Sequence, residues 1–479
     1  MEKFDVVVIG GGPGGYPAAI RAAQLGASVA LVEREALGGT CLNWGCIPTK
    51  TLIASADLFH RMNHAGDMGL KAGQVGFDYA AMSKRKDEVV GKLKGGVAAL
   101  LKANGVKVFT GTGSFAARNR CQVSGVRPAP QRACSAAGCQ VSAEPDQVLE
   151  AGSTIIATGS VSAMPGFLPR HSRVVESRGF LDLTKLPSSL IVLGGGVIGC
   201  EFACMAAQLG VKVTIVEMLE DILMILDTDV RRELRSHLEK KLGVRVLAGK
   251  PMEKIQADDK KVGGVFGEEA LEAELLLVSI GRRPYTEGLG LDKAGIEKSK
   301  AGFIEVDDYC RTSKASIYAI GDVNGRAQLA HAATAQGITA AENACGKRSK
   351  AETLVPACIF TSPEIGSVGL TEQQAKERNI AYTTGRYAFA ALGKAMAMNE
   401  TGGFVKVLAR SDTDQLIGAH AVGPHATELI SEATVAIRAE LTAAELGRTI
   451  HCHPTLSETW MEAAHSVHGM CIHSAPKRK

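Results

Sequence analysis

The chain has 479 residues, more than one hydrophobic core usually serves, so several domains are expected. Hydrophobic residues make up 46% and charged residues 22%, ordinary for a globular protein, and a net charge of +4 is too slight to argue for nucleic acid. No apolar run reaches the roughly 18 residues that would span a bilayer, and a first strand from Phe4 leaves no room for a signal peptide. The 12 cysteines are therefore expected to be mostly reduced and buried rather than a disulfide scaffold. The basic Pro476-Lys477-Arg478-Lys479 reads as a solvated tail.

From the N-terminus, residues 4–34 read as a β-branched strand, a Gly-rich turn, a small-residue helix and a second apolar strand closing on an acid. Residues 188–218 repeat this pattern without a gap, down to the same Ala-Ala-Gln-Leu-Gly at the helix end. Gly10, Gly12 and Gly15 have the G-x-G-x-x-G spacing, as do Gly194, Gly196 and Gly199. The first glycine permits the tight turn, the second lets the backbone approach a pyrophosphate, and the third lets helix and strand pack closely. The anion then sits on a helix N-terminus, where unpaired N–H groups and the helix dipole favour it. Glu33 and Glu217 close the second strands, where a carboxylate accepts hydrogen bonds from a ribose. Two such units imply two dinucleotides. Met218, Leu219, Glu220 and Asp221 follow Glu217 with no Arg or Lys for a 2′-phosphate, so the second site is expected to prefer NAD to NADP. Which unit holds a flavin does not follow from the spacing.

Between the units lies Gly38-Gly39-Thr40-Cys41-Leu42-Asn43-Trp44-Gly45-Cys46-Ile47-Pro48-Thr49-Lys50. On a regular helix, residues five apart are separated by about 7.5 Å of rise, whereas disulfide Cα atoms lie within about 7 Å. A bridge between Cys41 and Cys46 thus needs a distorted turn, which Gly45 and Asn43 permit. Pro48 suits the first turn of a following helix, expected to run through Lys50 to about His60. Cys46 would then lie near its N-terminus, where a thiolate is stabilised. Cys134 and Cys139 have the same spacing but sit in an irregular stretch, read as a surface loop, and from Ala116 to Gln147 no strands can be placed. Cys200 and Cys204, one helical turn apart, read as small core residues.

With these residues in hand, the segment from Gly38 to Lys50 resembles the active-site fingerprint of class I pyridine nucleotide-disulfide oxidoreductases. Leu42, Ile47 and Thr49 are most similar to the dihydrolipoamide dehydrogenase branch, with Trp44 replacing a more usual Val. Ile155-Ile156-Ala157-Thr158-Gly159-Ser160 resembles the strand and turn that close the first nucleotide domain. Ile317-Tyr318-Ala319-Ile320-Gly321-Asp322 resembles a second FAD motif, Leu329-Ala330-His331-Ala332 a further flavin contact, and His451-Cys452-His453-Pro454-Thr455-Leu456-Ser457-Glu458 the catalytic histidine motif.

The resemblance implies an α/β fold with two Rossmann-like dinucleotide-binding domains, FAD at 1–150 and NAD at 151–280. A central domain at 281–350 would complete the FAD site, and an α+β interface domain at 351–479 would form a homodimer. It extends the FAD contacts to Arg34, Thr40, Lys50, Gly113, Thr158, Gly159, Ser160, Asp322, Leu329, Ala330 and His331, with Asp322 on the ribityl chain. The NAD side would take Val197, Ile198, Glu201 and Gly281 besides the second glycine set and Glu217, and Lys50 and Glu201 would form an ion pair beside the flavin.

The mechanism it implies is thiol–disulfide interchange. A dithiol attacks the Cys41–Cys46 disulfide at Cys41, the interchange sulfur; Cys46 is nearer the flavin, as a charge-transfer thiolate. His453, from the other subunit, is the base, and an imidazole's ordinary pKa near about 6.5 suits proton pickup and return. Glu458 fixes its tautomer. Electrons pass through FAD to NAD⁺. Metal binding by His451, Cys452 and His453 is disfavoured, because adjacent residues of an extended stretch face opposite ways and Cys452 would point away from the two histidines. His420, His425, His465, His468 and His473 are given no role. The implied partners are dihydrolipoyl domains and the core or peripheral-subunit-binding domain of 2-oxo acid dehydrogenase or glycine cleavage assemblies, with neither nucleic acid nor membrane; the lack of a presequence favours a bacterial cytoplasm over a mature mitochondrial matrix chain. A glutathione- or mercuric-reductase-like sibling is the alternative; it would want basic residues after Glu217 or a C-terminal vicinal cysteine pair, and the sequence has neither.

Overall fold

The structure, a computed structural model, describes residues 1–125 and 146–474. Cys134, Cys139 and the basic tail at 476–479 lie outside the described residues. The chain divides into two compact units, neither contiguous in sequence: Met1–Thr49, Lys84–Ala163 and Arg282–Thr353 form one, and Lys50–Ser83, Met164–Gly281 and Leu354–Lys479 the other.

The first unit is built on a seven-stranded sheet. Lys107–Thr110, Val29–Glu33, Glu2–Ile9 and Gln147–Ile156 lie side by side in parallel. Gln147–Ile156 is long enough to serve two further neighbours: its first half pairs antiparallel with Arg120–Ser124, its last residues parallel with Ile317–Ala319. Arg120–Ser124 in turn pairs with Thr112–Ala117, so part of the stretch read as irregular is a regular hairpin strand. Strands buried on both faces read as continuous apolar runs, and the first strand shows why. Val6 and Val8 enter one core with Ala18, Ala22, Ala340 and Ala341, while Val7 and Ile9 enter the other with Leu289, Ile304 and Ile317. The helix Gly15–Gln24 packs on Ala330–Ala344 through small residues: a Cβ at Gly337 would stand 2.4 Å from the Gly14 carbonyl oxygen.

The second unit holds a five-stranded all-parallel sheet, ordered Arg245–Ala248, Lys212–Glu217, Ser189–Leu193, Leu275–Val278, Val174–Glu176. A three-stranded antiparallel sheet, Met252–Ala257 through Glu269–Ala273, follows the parallel one in chain order up to its returning strand. The C-terminal part is a five-stranded antiparallel sheet from Ala357–Ile359 to Tyr382–Ala388, packed with the helices Ala426–Arg438 and Glu458–Val467. Among the described residues no helix is long and apolar enough to cross a membrane.

An ammonium cage ties this unit's nucleotide part to its C-terminal sheet. Lys406, 3% exposed, meets Asp227, itself 2% exposed, at 2.9 Å, Asp229 at 2.9 Å, and Glu372. Burial works against the charged form of Asp227, but the Lys406 bond, the nearby His420 and the Glu372 N–H outweigh it and hold the carboxyl below its ordinary value.

Candidate active site

The two glycine turns have the geometry their spacing requires. Gly10 sits at φ +105° and Gly194 at φ +109°, where a Cβ would come within 2.4 Å of the Ala157 oxygen and 2.5 Å of the Ser279 oxygen respectively. A Cβ at Gly15 would lie 1.8 Å from the Gly10 oxygen, and one at Gly199 2.0 Å from the Gly194 oxygen. The middle glycines differ in kind: nothing approaches Gly196 within 4 Å, and Gly12 meets only the Gly39 Cα at 3.8 Å. That is open space at a helix N-terminus, the cradle a pyrophosphate fills.

Both terminal acids bend back over their turns. The Gly11 N–H donates to Glu33 Oε2 at 2.7 Å and the Gly195 N–H to Glu217 Oε2 at 2.6 Å. The second oxygens accept from Glu35 N–H at 2.7 Å and Leu219 N–H at 2.8 Å. Each carboxylate is thus fixed at the mouth of its cradle, where a ribose would meet it. Val197 and Ile198 open the helix over the second cradle, and Gly281, at φ +116° with nothing within 4 Å, follows the Leu275–Val278 strand.

In the first unit the remaining predicted residues gather by pairs. The Ser160 hydroxyl donates to Asp322 Oδ2 at 2.5 Å, and Thr158 Oγ1 donates to the Tyr285 carbonyl at 2.7 Å. Asp322 opens the short 3₁₀ turn Gly321–Asn324, braced by Gln336, whose Oε1 accepts from Gly321 N–H and Asn324 Nδ2, each at 2.8 Å. Three participants escaped the sequence reading. Arg282 donates to Ser160 Oγ at 2.7 Å and to the Ser160 carbonyl at 2.8 Å. Tyr285 receives a hydrogen bond from Arg34, whose guanidinium stacks on its ring at 4.4 Å. Gln336 is the third. The one signal was Gly281-Arg282-Arg283-Pro284 directly after an apolar strand. Gly113 has a packing reason of its own, since a Cβ there would stand 2.9 Å from Ile9 Cγ2. Leu329 precedes the helix Ala330–Ala344, while Thr40 and His331 are exposed.

The cysteine segment is two helices, Gly39–Trp44 and Cys46–Asn63, broken at Gly45 with φ −142° and ψ −111°. A Cβ there would lie 3.0 Å from the Thr40 oxygen, a tight fit that favours glycine at the break. Cys46 is the first residue of its helix, as expected, and both Cys41 and Cys46 are half-buried. Asn43 acts differently from the expectation of an unusual dihedral: it is helical, and its Nδ2 donates to the carbonyls of Leu37 at 3.0 Å and Gly39 at 2.9 Å. Cys200 and Cys204 are fully buried, and burial pushes the Cys204 thiol up to about 12, which makes both inert.

In the second unit Lys50 Nζ meets Glu201 at 2.7 Å and 2.9 Å and lies over the Phe360 ring at 4.7 Å. Glu201 is buried and also accepts from Phe360 N–H at 3.0 Å, so it is no surface residue. His453 Nδ1 meets Glu458 Oε1 at 2.9 Å, while Glu458 Oε2 accepts from Thr455 N–H at 2.8 Å. Burial raises Glu458, but the Thr455 N–H and the His453 contact prevail and keep it below the usual carboxylate range. An ionised Glu458 selects the Nδ1–H tautomer and leaves Nε2 of the exposed ring to exchange protons.

One expectation about this motif is corrected. His451 and His453 do not share a face. The His451 side chain is 5% exposed and turned to Glu432, that of His453 is 78% exposed, and Cys452 between them is exposed too. The segment is not a strand but bends at His453 and Pro454, so strand alternation does not apply.

Comparison with known proteins identifies the family. Residues 4–337 match the pyridine nucleotide-disulphide oxidoreductase family, and residues 355–464 match its dimerisation domain. The chain belongs to that family. It is 40% identical to the dihydrolipoyl dehydrogenase of Chlamydia muridarum over 100% of both chains. To that of Bacillus subtilis it is 42% identical, over 98% of this chain and 99% of the other. Its fold superposes on crystalline LpdA from Mycobacterium tuberculosis with a TM-score of 0.87 at 29% identity, covering 97% of this chain and 99% of the other. Within the family the sequence stands in the dihydrolipoyl dehydrogenase branch, whose members use FAD and NAD.

Proposed function

We propose that the chain oxidises protein-bound dihydrolipoamide with Cys41, Cys46, His453 and Glu458 as its reacting and proton-handling residues. The observation that carries this reading is the split helix: two half-buried cysteines flank the Gly45 break directly after the first nucleotide unit. A substrate thiolate forms a bond to Cys41 Sγ while the Cys41–Cys46 bond breaks and Cys46 leaves as a thiolate. The second substrate thiol, its proton taken by His453 Nε2, closes the lipoyl ring and releases Cys41. Cys46, at a helix N-terminus, is held as the thiolate. Glu458 keeps the ring of His453 oriented throughout.

FAD supplies the two-electron carrier between this thiol pair and NAD⁺. Gly10, Gly12, Gly15, Glu33 and the Ser160–Asp322 pair would hold it, and Gly194, Gly196, Gly199 and Glu217 the NAD. The open middle glycines and the fixed terminal carboxylates fit these groups. In this reading the segments 1–150, 151–280, 281–350 and 351–479 are the FAD, NAD, central and interface domains. The protein works as a homodimer in which His453 serves the partner's thiol pair. Exposed Met396, Val435 and Ile450 on the dimerisation segment support that assembly. Its partners are lipoyl domains and the core of a 2-oxo acid dehydrogenase or glycine cleavage assembly in the cytoplasm.

The test is an anaerobic titration of the flavoprotein with dihydrolipoamide, followed by NAD⁺. The expected result is a long-wavelength charge-transfer band that disappears as NADH forms. A flavin that ignores dihydrolipoamide yet is reduced by NADH would move the substrate to the sibling disulfide reductases.

A further inference from the structure

His451 has no part in the scheme above, yet it is among the most constrained histidines of the second unit. Its Nδ1 lies 2.8 Å from the Thr449 carbonyl oxygen and its Nε2 2.5 Å from Glu432 Oε1. A carbonyl oxygen has no proton to give, and a carboxylate only accepts, so neither partner of the ring is a donor. A neutral imidazole carries one N–H, so one of the two contacts would set a lone pair against an oxygen. Both nitrogens must donate, and the ring is therefore an imidazolium.

We propose that His451 is a positioning residue for the proton-transfer pair: a constitutive cation that anchors the segment carrying His453 and adds to the positive field on Glu458. The proposal rests on the reading of His453 and Glu458 as that pair. Anchoring follows from where the two contacts lead. Thr449 ends the short helix Ala443–Arg448, and Glu432 lies on the helix Ala426–Arg438, so one ring fastens the loop before His453 to two elements. Two charged groups bear on the ring: Glu432 from Ala426–Arg438 and Glu458 from Glu458–Val467. The Glu432 bond holds the ring above the ordinary imidazole value; burial opposes it, and the Thr449 carbonyl and the charges of Glu432 and Glu458 add to it. In the other direction the His451 charge lowers Glu458 too, by less than the Thr455 N–H and the His453 contact do. An ionised Glu458 is what keeps Nδ1–H on His453 and frees Nε2.

The test compares His451→Gln, Glu432→Gln and His453→Gln in the full flavoprotein. Dihydrolipoamide-dependent NAD⁺ reduction is followed across pH. Beside it, NADH-dependent ferricyanide reduction reports folding and both cofactor sites without the thiol end. His451→Gln should lower kcat about tenfold with KM for dihydrolipoamide within about twofold, and move the acid-side midpoint of the pH–rate profile up by about half a unit, as loss of a neighbouring positive charge demands. Glu432→Gln should shift the same midpoint, and ferricyanide reduction should stay unchanged in both. An unmoved midpoint with full kcat in His451→Gln, beside a roughly hundredfold loss in His453→Gln, would overturn the role of His451 alone. A parallel loss of both activities in His451→Gln would reduce it to a structural residue. Full activity in His453→Gln would remove the underlying reading and this proposal with it.

Discussion

The two copies of the repeat, residues 4–34 and 188–218, share their backbone chemistry closely and differ in what is docked on it. Each has a left-handed first glycine, an overlap-forbidden third glycine and a carboxylate folded back on the turn. Even the next contact is shared: the first copy's middle carbonyl, Gly11, accepts from Gly38 N–H at 2.8 Å, and the second copy's, Gly195, from Leu223 N–H at 2.9 Å. After that they part. In the first, Gly38 and Gly39 adopt φ +92° and +55° and start the cysteine helix against the turn, where a Cβ at Gly39 would lie 2.7 Å from the Gly12 Cα. In the second, Met218 and Leu219 stand exposed, and Asp221 engages Arg235 at 2.8 Å and Arg231 at 3.7 Å. A phosphate cradle is generic; the segment that follows its acidic strand end decides what chemistry it serves.

The largest effect expected from this contrast belongs to Cys46→Ser. It should abolish dithiol-dependent NAD⁺ reduction while the visible flavin spectrum and NADH binding persist. Residual turnover at the parent rate would mean the first copy is no more chemical than the second. Next, Gly199→Ala forces the second turn apart at a strain of ~1–3 kcal/mol, so KM for NAD⁺ should rise roughly ten- to hundredfold with flavin reduction by dithiol intact. Stopped-flow measurement of the two half-reactions separates these, and a defect in the dithiol half would break the division of labour.

Lys406→Met probes what supports the second copy, since it leaves Asp227 buried without its cation. The cost should be about 3–5 kcal/mol, read as a lower denaturant midpoint. Asp227 is held below its ordinary value, so its share of that stability is present above the unfolded pKa and lost as pH falls through the folded one. The gap between variant and parent should therefore be full at neutral pH and shrink below about pH 4. Smallest of all, Asp221→Asn loosens Arg235 and should improve kcat/KM for NADP⁺ by about threefold, on the scale of one partly exposed charge; no change would place nucleotide choice wholly in Glu217.

That last pair also shows where sequence reading stops. The glycine turns, their acids and the broken cysteine helix were legible because each is dictated locally: only glycine fits the close approaches at residues 10, 15, 194 and 199, and residue 45 is tight. The His453–Glu458 pair was expected only from the motif's resemblance to the family; the bend and helix start that bring the two together were not. Arg282 on Ser160, Tyr285 under Arg34 and Arg235 on Asp221 were not, because long polar side chains find partners wherever the chain returns. The first two pairs are separated by 122 and 251 positions, and nothing in either stretch alone announces the other. The inward turn of His451 was misread because an extended motif was treated as a strand.

The interleaving of the two units bears on how such a chain is made. The central strand Gln147–Ile156 waits for Ile317–Ala319 to complete its edge, and the first unit needs residues up to Thr353. During synthesis the N-terminal nucleotide fold therefore cannot close before most of the second parallel sheet has left the ribosome. Neither unit is one uninterrupted stretch, so a chain that stops near its middle would leave both incomplete. The duplication visible in the sequence did not produce two separable modules; it produced two folds that mature together.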